Sequence, residues 1–177
     1  MAAPLPELAA ARVWEALADV RGLHPQVRWL PPSKLHLTLV FLGSTNPARV
    51  EEISTSLERV APSHRSFDVA TGDGGGRSGG RRGGVAWLRL ADGGPEVAQL
   101  SLDMDDAIGA HTYSTNKAPR PHLTVARRAT DAAINDLRAL ADPLQLAWTV
   151  DRVTLFRSHT DPSGSRYEEL TSIALGA

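Results

Sequence analysis

The fold is decided by two related stretches of sequence, Lys34-Leu35-His36-Leu37-Thr38-Leu39-Val40 and Arg120-Pro121-His122-Leu123-Thr124-Val125-Ala126. Each places a histidine two residues after a basic residue and then alternates apolar residues with a threonine. The two histidines are 86 positions apart, which is close to half of the 177 residues. One His-x-Thr match would mean little, but two matches with the same apolar neighbours argue against chance.

Both stretches are predicted to be β-strands. Side chains two residues apart on a strand face the same way. His36 and Thr38 therefore share one face, and His122 and Thr124 do the same, while the apolar residues between them face a core. If a pseudo-twofold axis pairs the two strands, two imidazoles and two hydroxyls converge on a site that fits a phosphate group.

This set of groups is suited to acid–base chemistry on a phosphate ester. An imidazole with an unperturbed pKa near 6.5 can be neutral at one position and protonated at the other near pH 7. The neutral histidine can take a proton from water, and the protonated one can give a proton to a leaving alkoxide. Threonine hydroxyls can donate to the non-bridging phosphoryl oxygens. No metal or other cofactor is required.

Two alternatives stay open from the residues alone. The histidines could be ordinary strand residues whose nitrogens bind backbone carbonyls. They could also join a carboxylate to bind zinc or iron in a metal-dependent phosphohydrolase, although neither stretch supplies a nearby acidic ligand.

The composition narrows the class of protein further. There are 19 Lys and Arg against 20 Asp and Glu, and this balance argues against a protein that coats nucleic acid through bulk charge. The absence of cysteine excludes disulfides, thiolate catalysis and iron–sulfur clusters, and it fits a reducing cytoplasm. No apolar run is long enough for a membrane span, and charged residues and prolines break any signal-peptide core in the first twenty residues.

The rest of the chain is predicted to mix helices and strands, which indicates the α+β class. Apolar periodicity and capping residues predict helices at 5–20, 47–61 and 95–108 and from Thr130 onward. Further strands are predicted at 66–71, 85–90, 146–156 and 166–174, with a turn at 161–164. The glycine-rich segment 72–84 is predicted to be a mobile loop; a basic flap over a polyanion, using Arg77, Arg81 and Arg82, is the alternative.

With these two His-x-Thr stretches, the chain resembles the two-histidine (2H) phosphoesterase superfamily. Within it, the chain is most similar to the LigT-like RNA 2′,3′-cyclic phosphodiesterases, historically called 2′-5′ RNA ligases. The resemblance rests on the segment 27–39 with Phe41-Leu42-Gly43, on the segment 121–127, and on the segment 153–158 followed by Gly164 and Tyr167. It implies one bilobal domain over residues 1–177, with two antiparallel sheets and outer helices around a central groove.

The resemblance also implies an activity. The enzyme would open 2′,3′-cyclic phosphate ends of RNA to 2′-phosphomonoesters without a metal, with His36 as proton donor and His122 as proton acceptor. The resemblance leaves reverse 2′-5′ RNA ligation open as a second activity. The partner would be RNA or a nucleotide with a cyclic phosphate end, and the protein is expected to be a cytoplasmic monomer. A non-catalytic nucleotide-binding module of the same fold is the alternative.

Further phosphate contacts are predicted around the two stretches. Strand alternation places Lys34 on the face of His36 and Arg120 on the face of His122, and it turns Arg127 to the other face. Arg157 and Tyr167 are candidates only through the family pattern.

The start of the chain departs from the family pattern. Members usually begin with a longer strand, and here only Met1-Ala2-Ala3 precedes Pro4. We therefore expect either that one sheet has an exposed edge where that strand would lie, or that the true start of the chain lies upstream of Met1.

Overall fold

The computed structural model describes residues 1–80, 83–109, 120–140, 145–161 and 164–176. Three predictions fall wholly or partly outside these residues. They are the contacts of Arg81 and Arg82, the last residues of the helix that is predicted from Thr130 onward, and the centre of the turn at 161–164.

Helices and strands alternate irregularly along the chain, which confirms the α+β class. The helices are α1 (Glu7–Ala16), α2 (Ala18–Leu23), α3 (Val50–Val60), α4 (Gly94–Ile108) and α5 (Asp131–Arg138). The strands are β1 (Ala2–Pro4), β2 (Arg28–Trp29), β3 (His36–Thr38), β4 (Phe67–Arg77), β5 (Gly84–Asp92), β6 (His122–Ala129), β7 (Ala147–Val150), β8 (Arg152–Asp161) and β9 (Gly164–Ala174). Short 3-10 turns occur at 32–34, 47–49 and 61–63.

The described strands form one curled antiparallel sheet in the order β7-β4-β5-β6-β3-β1-β8-β9, and β2 pairs with β6 as well. The two sheets that the resemblance implies are thus joined where β3 pairs with β6. The curl follows from the chain itself. Asp151 alone connects β7, at one end of this order, to β8, near the other end, and one residue spans less than about 4 Å. This also explains why the strand predicted over 146–156 is two strands.

The prediction of an exposed sheet edge at the start of the chain is wrong. Residues 2–4 form β1, which pairs with β3 on one side and with β8 on the other. Ala2 lies opposite Thr38 in one ladder and opposite Thr154 in the other. Three residues are enough to fill the place between the two strands.

One hydrophobic core lies behind the two histidine strands. Leu37 and Leu123 are fully buried, and they belong to the same cluster as Leu100 and Met104 of α4. The leucines beside Leu37 are buried too, whereas His36 is half-buried and Thr38 is exposed. The core therefore lies on the face of these strands opposite the histidines, as the alternation predicts.

The prediction of a mobile loop over 72–84 is wrong for its first half, because residues 72–77 belong to β4 and pair with β5. Glycine is needed there for a close approach of α5. A Cβ on Gly76 would lie 2.6 Å from the Cγ2 atom of Ile134, and one on Gly74 would overlap the carbonyl of Leu137. Glycine in a strand commonly marks such an approach by another element. Arg77 is exposed at the end of β4.

Candidate active site

The two histidine strands are direct neighbours in the sheet. β3 and β6 run antiparallel with Leu37 opposite Leu123. Continuing this register by one residue in each direction sets His36 beside Thr124 and Thr38 beside His122. All four polar side chains therefore share one face of the sheet, which we call the motif face. Thr38 and His122 are exposed there, and His36 and Thr124 are half-buried.

Each histidine is anchored through the same ring nitrogen. The Nδ1 atom of His36 lies 2.9 Å from the carbonyl oxygen of Lys34, and Nδ1 of His122 lies 2.8 Å from the carbonyl oxygen of Arg120. A carbonyl oxygen only accepts, so Nδ1 carries the hydrogen and donates in both cases. Nε2 is thereby left as the reactive atom, which accepts a proton in the neutral ring and donates one in the cation.

The surroundings of His36 are aromatic. The ring of Tyr167 on β9 meets the His36 ring edge-on, with a centroid distance of 5.3 Å, and the ring of Phe156 on β8 lies 6.5 Å away. The two aromatic rings are 6.0 Å apart and pack together. Of the two family-pattern candidates on β8 and β9, Tyr167 is thus brought to the site.

Burial is the main cause that lowers the pKa of His36 below its ordinary value. The hydrogen bond from Nδ1 to the Lys34 carbonyl opposes this shift, while the positive charges of the amino terminus and Arg127 add to it. The neutral form of His36 is therefore favoured in the free protein. An anion bound beside the ring would raise the pKa again, because it stabilises the imidazolium.

The surroundings of His122 are more open. Its side chain is exposed, and the ring of Trp87 on β5 lies 5.4 Å from it at a tilt of 54°. Arg89 lies directly opposite His122 in the β5–β6 ladder, so its exposed side chain is on the motif face as well. The sequence analysis missed Arg89, although its spacing of two residues from Trp87 puts both on one face of a strand.

Arg127 is on the motif face, and the prediction that it faces away is wrong. In the β5–β6 ladder Thr124 is opposite Trp87, but Ala126 is opposite the adjacent Ala86, so β6 contains one extra residue. This β-bulge reverses the alternation beyond it. Ala126 is fully buried, and Arg127 next to it is exposed on the side of the histidines.

The remaining candidates are Lys34, Arg120 and Arg157. Lys34 lies in the 3-10 turn at 32–34 before β3, so strand alternation does not set its direction, and Arg120 is exposed just before β6. Phosphate contacts by these two side chains stay predictions, while their carbonyls hold the histidines. Arg157 is turned away from His36, since it follows Phe156 on β8, and its guanidinium lies 3.6 Å from the Glu168 carboxylate.

Two searches over the described ranges bear on other classes of function. No three histidine, aspartate or glutamate side chains lie close enough there to hold a metal ion. None of the helices described is both long enough and apolar enough to cross a membrane.

Residues 5–162 match the family model of the 2′-5′ RNA ligase superfamily. Among curated proteins, the chain is 24% identical over 173 residues to the RNA 2′,3′-cyclic phosphodiesterase of Bacillus subtilis, covering 97% of this chain and 93% of that one. It is 29% identical over 184 residues to the protein of the same name from Thermus thermophilus, covering 97% and 86% of the two chains.

Solved structures show the same fold. Escherichia coli LigT in its apo form superposes with a TM-score of 0.78 at 23% identity, covering 99% of this chain and 95% of that chain. The Thermus thermophilus protein TT0787 gives a TM-score of 0.78 at 26% identity, covering 98% and 94%. The complex of Escherichia coli LigT with 3′-AMP gives a TM-score of 0.79 at 23% identity, covering 98% and 95%.

Proposed function

Because the chain belongs to the 2′-5′ RNA ligase superfamily, we propose that it hydrolyses 2′,3′-cyclic phosphate ends of RNA to 2′-phosphomonoesters. The observation that carries this proposal is the direct pairing of β3 with β6, which sets two histidines on one face, each anchored through Nδ1 and not through Nε2. The related proteins named RNA 2′,3′-cyclic phosphodiesterase support the same reaction.

The reaction needs one proton acceptor and one proton donor. Nε2 of His122 takes a proton from water, and the water oxygen forms a bond to phosphorus. The bond from phosphorus to the ribose 3′ oxygen breaks, and Nε2 of His36 gives its proton to that oxygen. The products are a 2′-phosphomonoester and a free 3′-hydroxyl, and the proton gained by His122 balances the one lost by His36.

Thr38 and Thr124 stabilise the charge that develops during this reaction. Their hydroxyls lie on the motif face beside the two histidines and donate to the non-bridging phosphoryl oxygens. Two imidazoles can supply the proton transfers and two hydroxyls the charge stabilisation, so the proposed reaction involves no metal ion.

The assignment of donor and acceptor follows the family resemblance, since the two anchors are alike. The lowered pKa of His36 in the free protein disfavours the protonated form that a donor requires. The negative charge of the bound phosphodiester acts in the opposite direction and favours the protonated form of His36 as substrate binds.

Both histidine strands come from one chain, so the site is complete without a second copy. This supports a monomer, which sedimentation equilibrium would test. The cysteine-free sequence supports a cytoplasmic location. The bound partner is an RNA end or a nucleotide; the complexes of Escherichia coli LigT with 3′-AMP and with ATP support nucleotide binding by this fold.

The test is incubation of the protein with adenosine 2′,3′-cyclic phosphate in EDTA, followed by separation of the two monophosphate isomers. Formation of 2′-AMP is expected. Formation of 3′-AMP would contradict the assigned leaving group, and loss of turnover in EDTA would support a metal-dependent hydrolase. Saturable binding with no product would instead support the non-catalytic nucleotide-binding module.

A further inference from the structure

Arg89 lies beside His122 on the side of β6 that is away from His36. β5 and β3 pair with opposite edges of β6, so Arg89 and His36 are on opposite sides of that strand. Arg89 is directly opposite His122 in the β5–β6 ladder, and residues directly opposite have Cβ atoms about 5 Å apart. An arginine side chain is longer than this separation. The guanidinium of Arg89 can therefore reach a group that is bound at His122.

The positive charge of Arg89 is not compensated within the described ranges. Other arginines there have a carboxylate partner, as Arg49 does in Glu52 at 3.1 Å. No described carboxylate forms an ion pair with Arg89, whose side chain is exposed on the motif face. The N–H donors of this guanidinium are thus available to an anion beside His122.

The proposed hydrolysis brings a new oxygen to this side of the phosphorus atom. Attacking and leaving oxygens lie roughly in line in phosphoryl transfer. The ribose 3′ oxygen leaves toward His36, so the water oxygen enters from the side of His122. A cyclic phosphodiester has two non-bridging oxygens and the 2′-phosphomonoester has three, the third being the oxygen that water supplies. Arg89 lies where this third oxygen arrives.

Negative charge develops on the incoming oxygen while positive charge develops on His122. As His122 takes the proton from water, it becomes a cation directly opposite Arg89, and like charges in this arrangement destabilise a strand pair. An anionic oxygen between the two groups offsets their repulsion. It also accepts charge-assisted hydrogen bonds from the guanidinium, which are about twice as strong as hydrogen bonds between neutral groups.

We propose that Arg89 is a further catalytic residue, which binds the incoming oxygen in the transition state and in the product. This inference rests on the proposed function. The cyclic substrate does not yet contain the oxygen that Arg89 binds. Arg89 therefore contributes to the rate of the chemical step and to the affinity for the 2′-phosphomonoester, and it contributes little to the affinity for the substrate.

The test measures three quantities in the wild type and in Arg89→Gln. They are the single-turnover rate constant for adenosine 2′,3′-cyclic phosphate at saturating enzyme, the enzyme concentration that gives half of that rate, and the inhibition constant of 2′-AMP. In Arg89→Gln the rate constant should fall about tenfold to a hundredfold, since a hydrogen bond to a charged group is lost. The inhibition constant should rise by a similar factor, and the half-saturating concentration should stay nearly constant.

Three further variants serve as controls. Arg89→Lys retains the charge without the fork of donors and should recover part of both losses. Arg77→Gln removes another exposed charge from the motif face and should leave all three quantities unchanged, because Arg77 is on β4, two strands from β6. Its side follows from Gly76, where an added Cβ would meet the buried Ile134 on the core side. Arg59→Gln on α3 is the control for a surface arginine, and thermal unfolding verifies that each variant folds.

Three results would overturn the role of Arg89 while leaving the proposed function intact. The first is an unchanged rate constant and inhibition constant in Arg89→Gln. The second is an unchanged rate constant with equal rises in the half-saturating concentration and the inhibition constant, because Arg89 would then contact the phosphate in every bound state. The third is an equal loss in Arg77→Gln, which would assign the effect to the general charge of the face. Absence of turnover in the wild type would instead overturn the proposed function itself.

Discussion

His36 and His122 are held alike but surrounded differently. Each donates from Nδ1 to the carbonyl two residues before it, and each lies on one face of a strand whose other face is buried. His36, however, is half-buried against Tyr167 and Phe156, whereas His122 is exposed beside Trp87. The repeated sequence thus gives both histidines the same Nδ1 hydrogen bond. Side chains from other strands give the two imidazoles different burial and different aromatic neighbours.

Removal of either histidine should have the largest effect. His36→Ala and His122→Ala should each lower kcat for adenosine 2′,3′-cyclic phosphate by about 10²–10⁴-fold, because each removes one proton-transfer group. His64→Ala is the matched control, since His64 lies outside the motif face and pairs with Asp103. Steady-state kinetics on variants with an unchanged thermal unfolding midpoint check this. Full activity in His36→Ala or in His122→Ala would contradict the claim that the two histidines act together in one site.

The threonines should show the next largest effect. Thr38→Val and Thr124→Val should each lower kcat by roughly 10²-fold, the loss typical for one hydrogen-bond donor to a developing anion. KM should change less than kcat, because the contact strengthens in the transition state. Thr55→Val on the exposed side of α3 is the control. A threonine variant that raises KM alone would show that its hydroxyl only binds substrate.

A smaller effect, on pH dependence, would sharpen the comparison. If His36 donates, kcat/KM falls as the pH rises through the pKa of His36 in the free protein. Burial lowers that pKa, so this limb should lie below the ordinary histidine value. Phe156→Ala admits water to His36, and Arg127→Gln removes a nearby positive charge, so each should raise the pKa of His36. The high-pH limb of the kcat/KM profile should then move to higher pH. Above neutrality, kcat/KM relative to its maximum should rise severalfold.

The matched control is Trp87→Ala, which lies beside His122 and should leave the high-pH limb of the kcat/KM profile at the same pH. Normalised pH profiles of kcat/KM, with an NMR titration of the His36 ring protons, provide the measurement. A limb that moves with Trp87→Ala but not with Phe156→Ala would assign the donor role to His122.

Much of the site could be predicted from local sequence. The alternation of Leu35, Leu37 and Leu39 with His36 and Thr38 specified a strand with one buried face, because burial on one side requires a period of two. Thr130 was recognisable as a helix cap, and its hydroxyl accepts from the Ala133 N–H at 3.1 Å.

Other features depend on contacts that local sequence does not contain. The bulge near Ala126, which brings Arg127 to the motif face, appears only when β6 is aligned with β5. The glycines of β4 resemble a loop until α5 is packed against them. The pairing of Arg28 with Arg127 joins residues almost 100 positions apart and depends on β2 following the edge that β3 occupies.

The most direct test of the central claim uses a substrate in which sulfur replaces the ribose 3′ oxygen of the cyclic phosphate. A thiolate leaves without protonation far more readily than an alkoxide, since thiols have a pKa near 8.5. The account predicts that His36→Ala recovers most of its lost rate on this substrate, while His122→Ala stays as impaired as on the natural one. Recovery in His122→Ala with none in His36→Ala would contradict the assignment of donor and acceptor.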